Sequence, residues 1–216
     1  DRAEELLKGQ VEFRLKGADK ARVGAQLALI YLLDGKPDQA LRTLKTTDEP
    51  GLPAEIAAQR RHLGARALMA KGEGDTALLT LKEDGSLDAE RLKTEIHWVA
   101  QDWDRAIPSL QRVLRAAGAE PRRPLDKGQA GYVFNLAVAM VMAGNERGVA
   151  RLKADYGQAM AATDYAKGFN LIAGQTALDG IKREEMSKEM QEVQGFQNFL
   201  AAYKERLKVQ GLSSIN

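Results

Sequence analysis

Two histidines and no cysteine leave few side chains through which this chain could do chemistry. His62 and His97 have no second His or Cys at metal-ligand spacing, so both are expected to be structural and no metal site is expected. Gly72-Glu73-Gly74 has the small residues of a phosphate loop. It lacks a following Gly-Lys-Ser/Thr and a preceding strand, so it reads as a turn. Glu4-Glu5 and Glu184-Glu185 are adjacent pairs. Neighbours on a helix diverge by about 100°, so neither pair can act on one bond. No Gly-x-Ser-x-Gly elbow occurs. Arg122-Arg123, between Pro121 and Pro124, reads as a solvated loop rather than a contact for phosphate or an acidic partner. No enzyme activity and no cofactor are expected.

Composition narrows the partners. The 32 Lys and Arg against 30 Asp and Glu give a net charge of +2, with the two signs interspersed as on solvated helix faces. That balance makes no electrostatic case for nucleic acid or a membrane surface. The longest apolar run, 133–143, contains Asn135 and falls short of the roughly 20 residues of a membrane span. No signal peptide is visible, and the absence of Cys suits a bacterial cytoplasm or periplasm equally, so the compartment stays open. The Ala- and Arg-rich composition is compatible with a GC-rich bacterium.

Any functional side chains must therefore be carried by helices. Ala and Leu favour helix, Gly falls where helices should stop, and no stretch alternates like a strand. One pattern recurs. Ala28, Tyr31, Gly35, Ala40 and Leu44 are matched at equal offsets by Ala65, Leu68, Gly72, Ala77 and Leu81. The first Ala allows two helices to approach closely, and the large residue one turn on fills the space beside it. The Gly ends the first helix in a left-handed conformation. The second Ala and the Leu form the buried stripe of the second helix, with Pro37 in its first turn. Thr94, His97, Gln101, Ala106 and Leu110 make a weaker third copy, with Asp102 as N-cap. Ala137, Met140, Gly144 and Val149 make a partial fourth.

These residues resemble the tetratricopeptide repeat family over roughly Arg2 to Tyr156. The large residue that the family carries near the start of the first helix is replaced by Gly24 and Arg61. Ala28 to Ala65 spans 37 positions and Ala65 to Thr94 only 29, which predicts irregular curvature. The resemblance implies an all-α fold, a right-handed solenoid of helical hairpins with a concave face that binds proteins or peptides.

The expected organisation is residues 1–156 as repeats and 157–216 as a C-terminal helical cap. Residues 1–16 resemble the end of an earlier repeat, which predicts a longer polypeptide before Asp1. Pro50, Pro53 and Gly85-Ser86 separate hairpins, and Gly118 to Gln129 reads as an extended loop. Pro108 should bend the second helix of the third hairpin. Thr163-Asp164 should cap a helix reaching about Leu178. An amphipathic helix from about Arg183 to Val209 should cover the last core, the rival being a coiled coil that makes a homodimer or binds a partner.

Under the resemblance, the first helices line a partner-binding groove. Their outward positions give Arg22, Ala25 and Leu29; Gln59, His62 and Arg66; Arg91, Glu95 and Trp98; and Phe134, Val138 and Val141. Trp98 is either an anchor on the groove wall or a packing residue against the next hairpin. Family members that clamp a C-terminal carboxylate carry Lys and Asn where Ala25 and Leu29 stand, which argues against that ligand. The expected function is a non-catalytic scaffold or adaptor for an unidentified protein or peptide. The alternatives are an oligomerisation module and a regulatory domain of a larger enzyme.

Overall fold

The computed structural model describes residues 15–174 together with Leu7 and Gly9. The expected earlier-repeat helix before residue 15 and the expected helix from Arg183 to Val209 lie outside the described residues. All elements described are helices, with no strand. In chain order they are α1 (Gly17–Leu33), α2 (Pro37–Thr46), α3 (Ala54–Ala70), α4 (Gly74–Thr80), α5 (Leu87–Val99), α6 (Trp103–Ala116), α7 (Lys127–Met142), α8 (Glu146–Met160) and α9 (Ala166–Gly174). The chain divides into two compact units, one ending at Gly85 and the other starting at Ser86.

In the first unit, α1 packs on α2 and α3, α2 on α3, and α3 on α4. Ala28, Ala40, Ala65 and Ala77 are all buried, as close helix approach at these positions requires. The turns close the same way twice. Gly35 takes φ +67 with Lys36 N–H donating to Tyr31 O, and Gly72 takes φ +79 with Glu73 N–H donating to Leu68 O. These bonds satisfy the carbonyls that a helix end otherwise leaves unpaired. Pro37 opens α2 at its first turn, where it needs no amide hydrogen.

Gly24, where the repeat pattern calls for a large residue, is a site of close approach. A Cβ there would lie 2.1 Å from Thr47 Oγ1 of the segment after α2. The space is already filled by the Thr47 side chain, which is fully buried and donates to Thr43 O at 2.7 Å.

In the second unit, α5 packs on α6, α6 on α7, α7 on α8, and α9 on both α7 and α8. Ser86, Asp102 and Asn145 cap α5, α6 and α8 by accepting from the amides of Ala89, Arg105 and Gly148. Asp126 and Gln129 make a reciprocal capping box, so α7 begins at Lys127 and the loop expected to reach Gln129 ends sooner. The loop is also tied down: Arg122 N–H donates to Asp155 O, and Gln129 Nε2 to Ala117 O. Pro108 lies inside α6, exposed. Thr94, which replaces the small Ala, satisfies its buried hydroxyl by donating to Glu90 O at 2.8 Å. Gln101 occupies the turn position of Gly35 and Gly72 in the same left-handed conformation, φ +56.

The centre of this unit is α7, in which every residue from Ala130 to Met140 is buried. A helix apolar on all sides must be surrounded, and α6, α8 and α9 enclose this one. Each large apolar side chain so buried contributes about 1.5–3 kcal/mol. The helix expected after Thr163-Asp164 forms as α9 from Ala166, and Phe169, Ile172 and Ala173 join the core. No helix among the described residues is long and apolar enough to cross a membrane.

Candidate interaction surfaces

The first-helix face of the first unit exposes part of what the spacing places there. Arg22 is exposed and holds Asp19 at 2.7 Å, and Gln59 is exposed. Leu29 and Leu33, one turn apart on α1, are 43% and 78% exposed. Ala25 is buried instead, and Arg66 is half-buried. His62 is half-buried, with Nε2 3.0 Å from Asp84 Oδ2, and Arg61 reaches the same oxygen at 3.4 Å. Asp84 thus fastens α3 to the segment that follows α4, and His62 serves as a tie within the fold.

In the second unit the expected groove positions turn inward. Glu95 is buried, and Trp98 is 6% exposed with its ring edge-on to Trp103, centroids 5.1 Å apart. Neither presents a wall to a partner. The expectation assumed one open side on α5, whereas all residues from Thr94 to Trp98 are buried. Arg91 is half-buried: its Nε donates to Tyr132 Oη at 2.5 Å, its guanidinium carbon lies 5.5 Å from that ring's centroid, and Nη1 reaches Asp88 at 3.3 Å. Phe134 and Val138 are buried and Val141 half-buried. The Phe134 ring meets Tyr165, ahead of α9, at 5.3 Å, so the chain's own segment occupies the face of the fourth hairpin.

Two buried charged groups escape the sequence pattern. Arg60 of α3 is 7% exposed. Its Nη1 donates to Ala21 O at 2.7 Å and to Thr47 Oγ1 at 3.1 Å, its Nη2 donates to Leu44 O, and Asp48 lies 3.6 Å away. Leu44 O is one of the carbonyls left open at the end of α2, so the guanidinium caps that helix from outside. Burial lowers the Arg60 pKa, and the Asp48 charge counters it. Glu90 of α5 holds Lys93 at 2.9 Å and Arg112 of α6 at 2.7 Å. Burial pushes its carboxyl upward, but the hydrogen bonds and charges of Lys93 and Arg112 outweigh this and hold the pKa below its ordinary value.

A cleft of about 530 Å³ in the second unit lies between α6 and α8 above α7. Its apolar lining comes from the buried Leu114, Leu136, Met140, Leu152 and Tyr156. Arg115, Arg147 and Arg151 line its rim with Gln111, Asn145 and Asp155. The three arginines are exposed, and none forms an ion pair with a described residue. The Tyr156 pKa is raised, by burial and then by the Asp155 charge, so its hydroxyl remains a neutral donor; it reaches Ala119 O at 3.5 Å. A corresponding cleft of about 340 Å³ in the first unit lies between α2 and α4 above α3, and Arg60 and Arg61 line it.

Such a surface can hold a chain segment by combining apolar contact with cationic hydrogen-bond donors. No group of three or more His, Asp or Glu side chains among the described residues is placed to hold a metal. Comparison with protein-family models, with curated proteins and with solved structures found no match.

Proposed function

We propose that this chain is a non-catalytic scaffold or adaptor, a right-handed hairpin solenoid of the tetratricopeptide type that holds a protein partner. The observation that carries the reading is the recurrence of one hairpin geometry. Ala28 with Ala40 and Ala65 with Ala77 are buried at equal offsets, and each pair is joined through a left-handed glycine. Packing of this kind builds extended helical surfaces without needing a reactive centre. The exposed Leu29 and Leu33 supply apolar contact area on the first-helix face.

A photo-crosslinking amino acid at Leu33 of the full-length protein, in its native cell, tests this. The expected result is one or a few discrete adducts with other proteins, absent when the probe is moved to the exposed Lys153. Adducts only between copies of the chain would contradict the scaffold reading and favour an oligomerisation module.

A further inference from the structure

We infer that the cleft between α6 and α8 is a docking site for an acidic protein segment that carries an apolar side chain between its carboxylates. The inference rests on the scaffold reading and names the chemistry of its partner. Three features on one surface support it.

The first is unspent positive charge. Arg115 comes from α6, and Arg147 and Arg151 lie one turn apart on α8. Four other arginines of this unit are used locally, Arg91 on Tyr132 and Asp88, Arg105 on Asp102, Arg112 on Glu90 and Arg123 on Glu120, while the exposed Arg122 side chain, which does not line the cleft, has no partner among the described residues. The three at the cleft have no such partner among the described residues. The second feature is the floor. Leu114, Leu136, Met140 and Leu152 line the cleft beneath the arginines but are each at most 5% exposed, so the floor offers a narrow apolar strip, room for one inserted side chain rather than a broad face. A nucleic acid would instead look for flat aromatic faces on which to stack its bases, and the one aromatic residue here, Tyr156, is buried. The third is geometry. Guanidinium groups on both walls can grip carboxylates on either side of a side chain inserted between them, and forked donors suit carboxylates better than point charges do. Asp155 also lines the cleft, so three cationic groups face one anionic group, and the balance favours an acidic guest.

The test measures fluorescence anisotropy of a short labelled peptide of glutamates interspersed with leucines, titrated with the full chain at low ionic strength. A second peptide replaces every Glu by Gln. The Glu peptide should bind and the Gln peptide should not. Arg147→Glu with Arg151→Glu should weaken binding about tenfold or more, with helix content and thermal midpoint unchanged. About 1 M salt, where the screening length is about 3 Å, should abolish it. If the double reversal disturbs folding, Arg115→Gln with Arg151→Gln replaces it and should weaken binding in the same direction. Equal binding of both peptides, or unchanged binding by the folded variants, overturns the proposal. A labelled RNA oligonucleotide that binds more tightly than the peptide and is lost in the same variants also overturns it. So does self-association abolished by those variants without peptide binding, which would assign the cleft to a second copy. Failure of the peptide to bind while the Leu33 crosslinks persist removes the acidic-segment assignment alone. Loss of both removes the scaffold reading.

Discussion

Arginines line both second-helix clefts, one in each compact unit, and do opposite things there. In the first unit Arg60 is drawn under the surface and spends its donors on Ala21 O, Leu44 O and Thr47 Oγ1, while Arg61 turns outward to Asp84. In the second unit Arg115, Arg147 and Arg151 keep their donors in solvent above an apolar floor. The same side chain is a structural cap where main-chain carbonyls are left open beside it. It becomes a recognition group where the helix ends are already capped. Ala119 N–H donates to Leu114 O and Gly118 N–H to Arg115 O after α6, so the open end of that helix leaves fewer carbonyls for an arginine to satisfy.

The largest effect that would break this contrast is expected at Arg60. Arg60→Ala removes its donors and leaves buried carbonyls without them, which should cost about 3 kcal/mol of unfolding free energy in a urea titration. Arg60→Lys should recover only part, because an ammonium cannot span the same acceptors. Next comes Gly24→Ala, whose new methyl must displace Thr47, a wedge beside Arg60. It should cost about 2 kcal/mol by the same measurement. The gain of up to about 1 kcal/mol that an ordinary exposed helical Gly→Ala change gives would show that α1 and the Thr47 segment can part freely.

Glu90 sharpens the comparison in the second unit, where a buried ion pair does work that Arg60 does in the first. Its pKa is lowered in the folded state, so its contribution is fully present above the unfolded value of about 4.3. It is lost as the pH falls through the folded value. Acid unfolding followed by tryptophan emission should show a drop in that window that Glu90→Gln lacks. Trp98 and Trp103, both in the second unit, are the chain's two tryptophans and report on that unit. The smallest effect is at Gln101. A side chain in the left-handed region is strained by about 1 kcal/mol, so Gln101→Gly should raise the second unit's thermal midpoint slightly. Gly35→Ala should lower that of the first.

The features legible in the sequence are those whose cause is local. Gly35, Gly72 and Gly144 end helices because a left-handed residue is needed, and Pro37 and Asp102 start them for equally local reasons. The buried alanines were readable because close approach demands small size at a fixed offset. Arg60 was not readable, since its acceptors are main-chain oxygens with no residue signature and an Arg on a helix normally suggests solvent. The burial of Glu95 was not readable, and Trp98 stayed open between groove wall and packing, for a different reason. One-sided periodicity says which face is buried first, but α5 is buried continuously from Thr94 to Trp98 and is also tied to α6 through Glu90–Arg112 and to α7 through Arg91–Tyr132. The cleft arginines come from α6 and α8, with the whole of α7 between them in the chain, so no spacing rule joins them.

The central claim is that arginine is structural in one cleft and held for a ligand in the other. Urea unfolding of Arg60→Ala beside Arg147→Ala with Arg151→Ala tests it most directly, with helicity and tryptophan emission recorded together. The account predicts a marked fall in the helicity midpoint for Arg60→Ala and wild-type midpoints in both signals for the double variant. A double variant destabilised as much as Arg60→Ala would contradict it, because the cleft arginines would then be holding the fold rather than awaiting a partner.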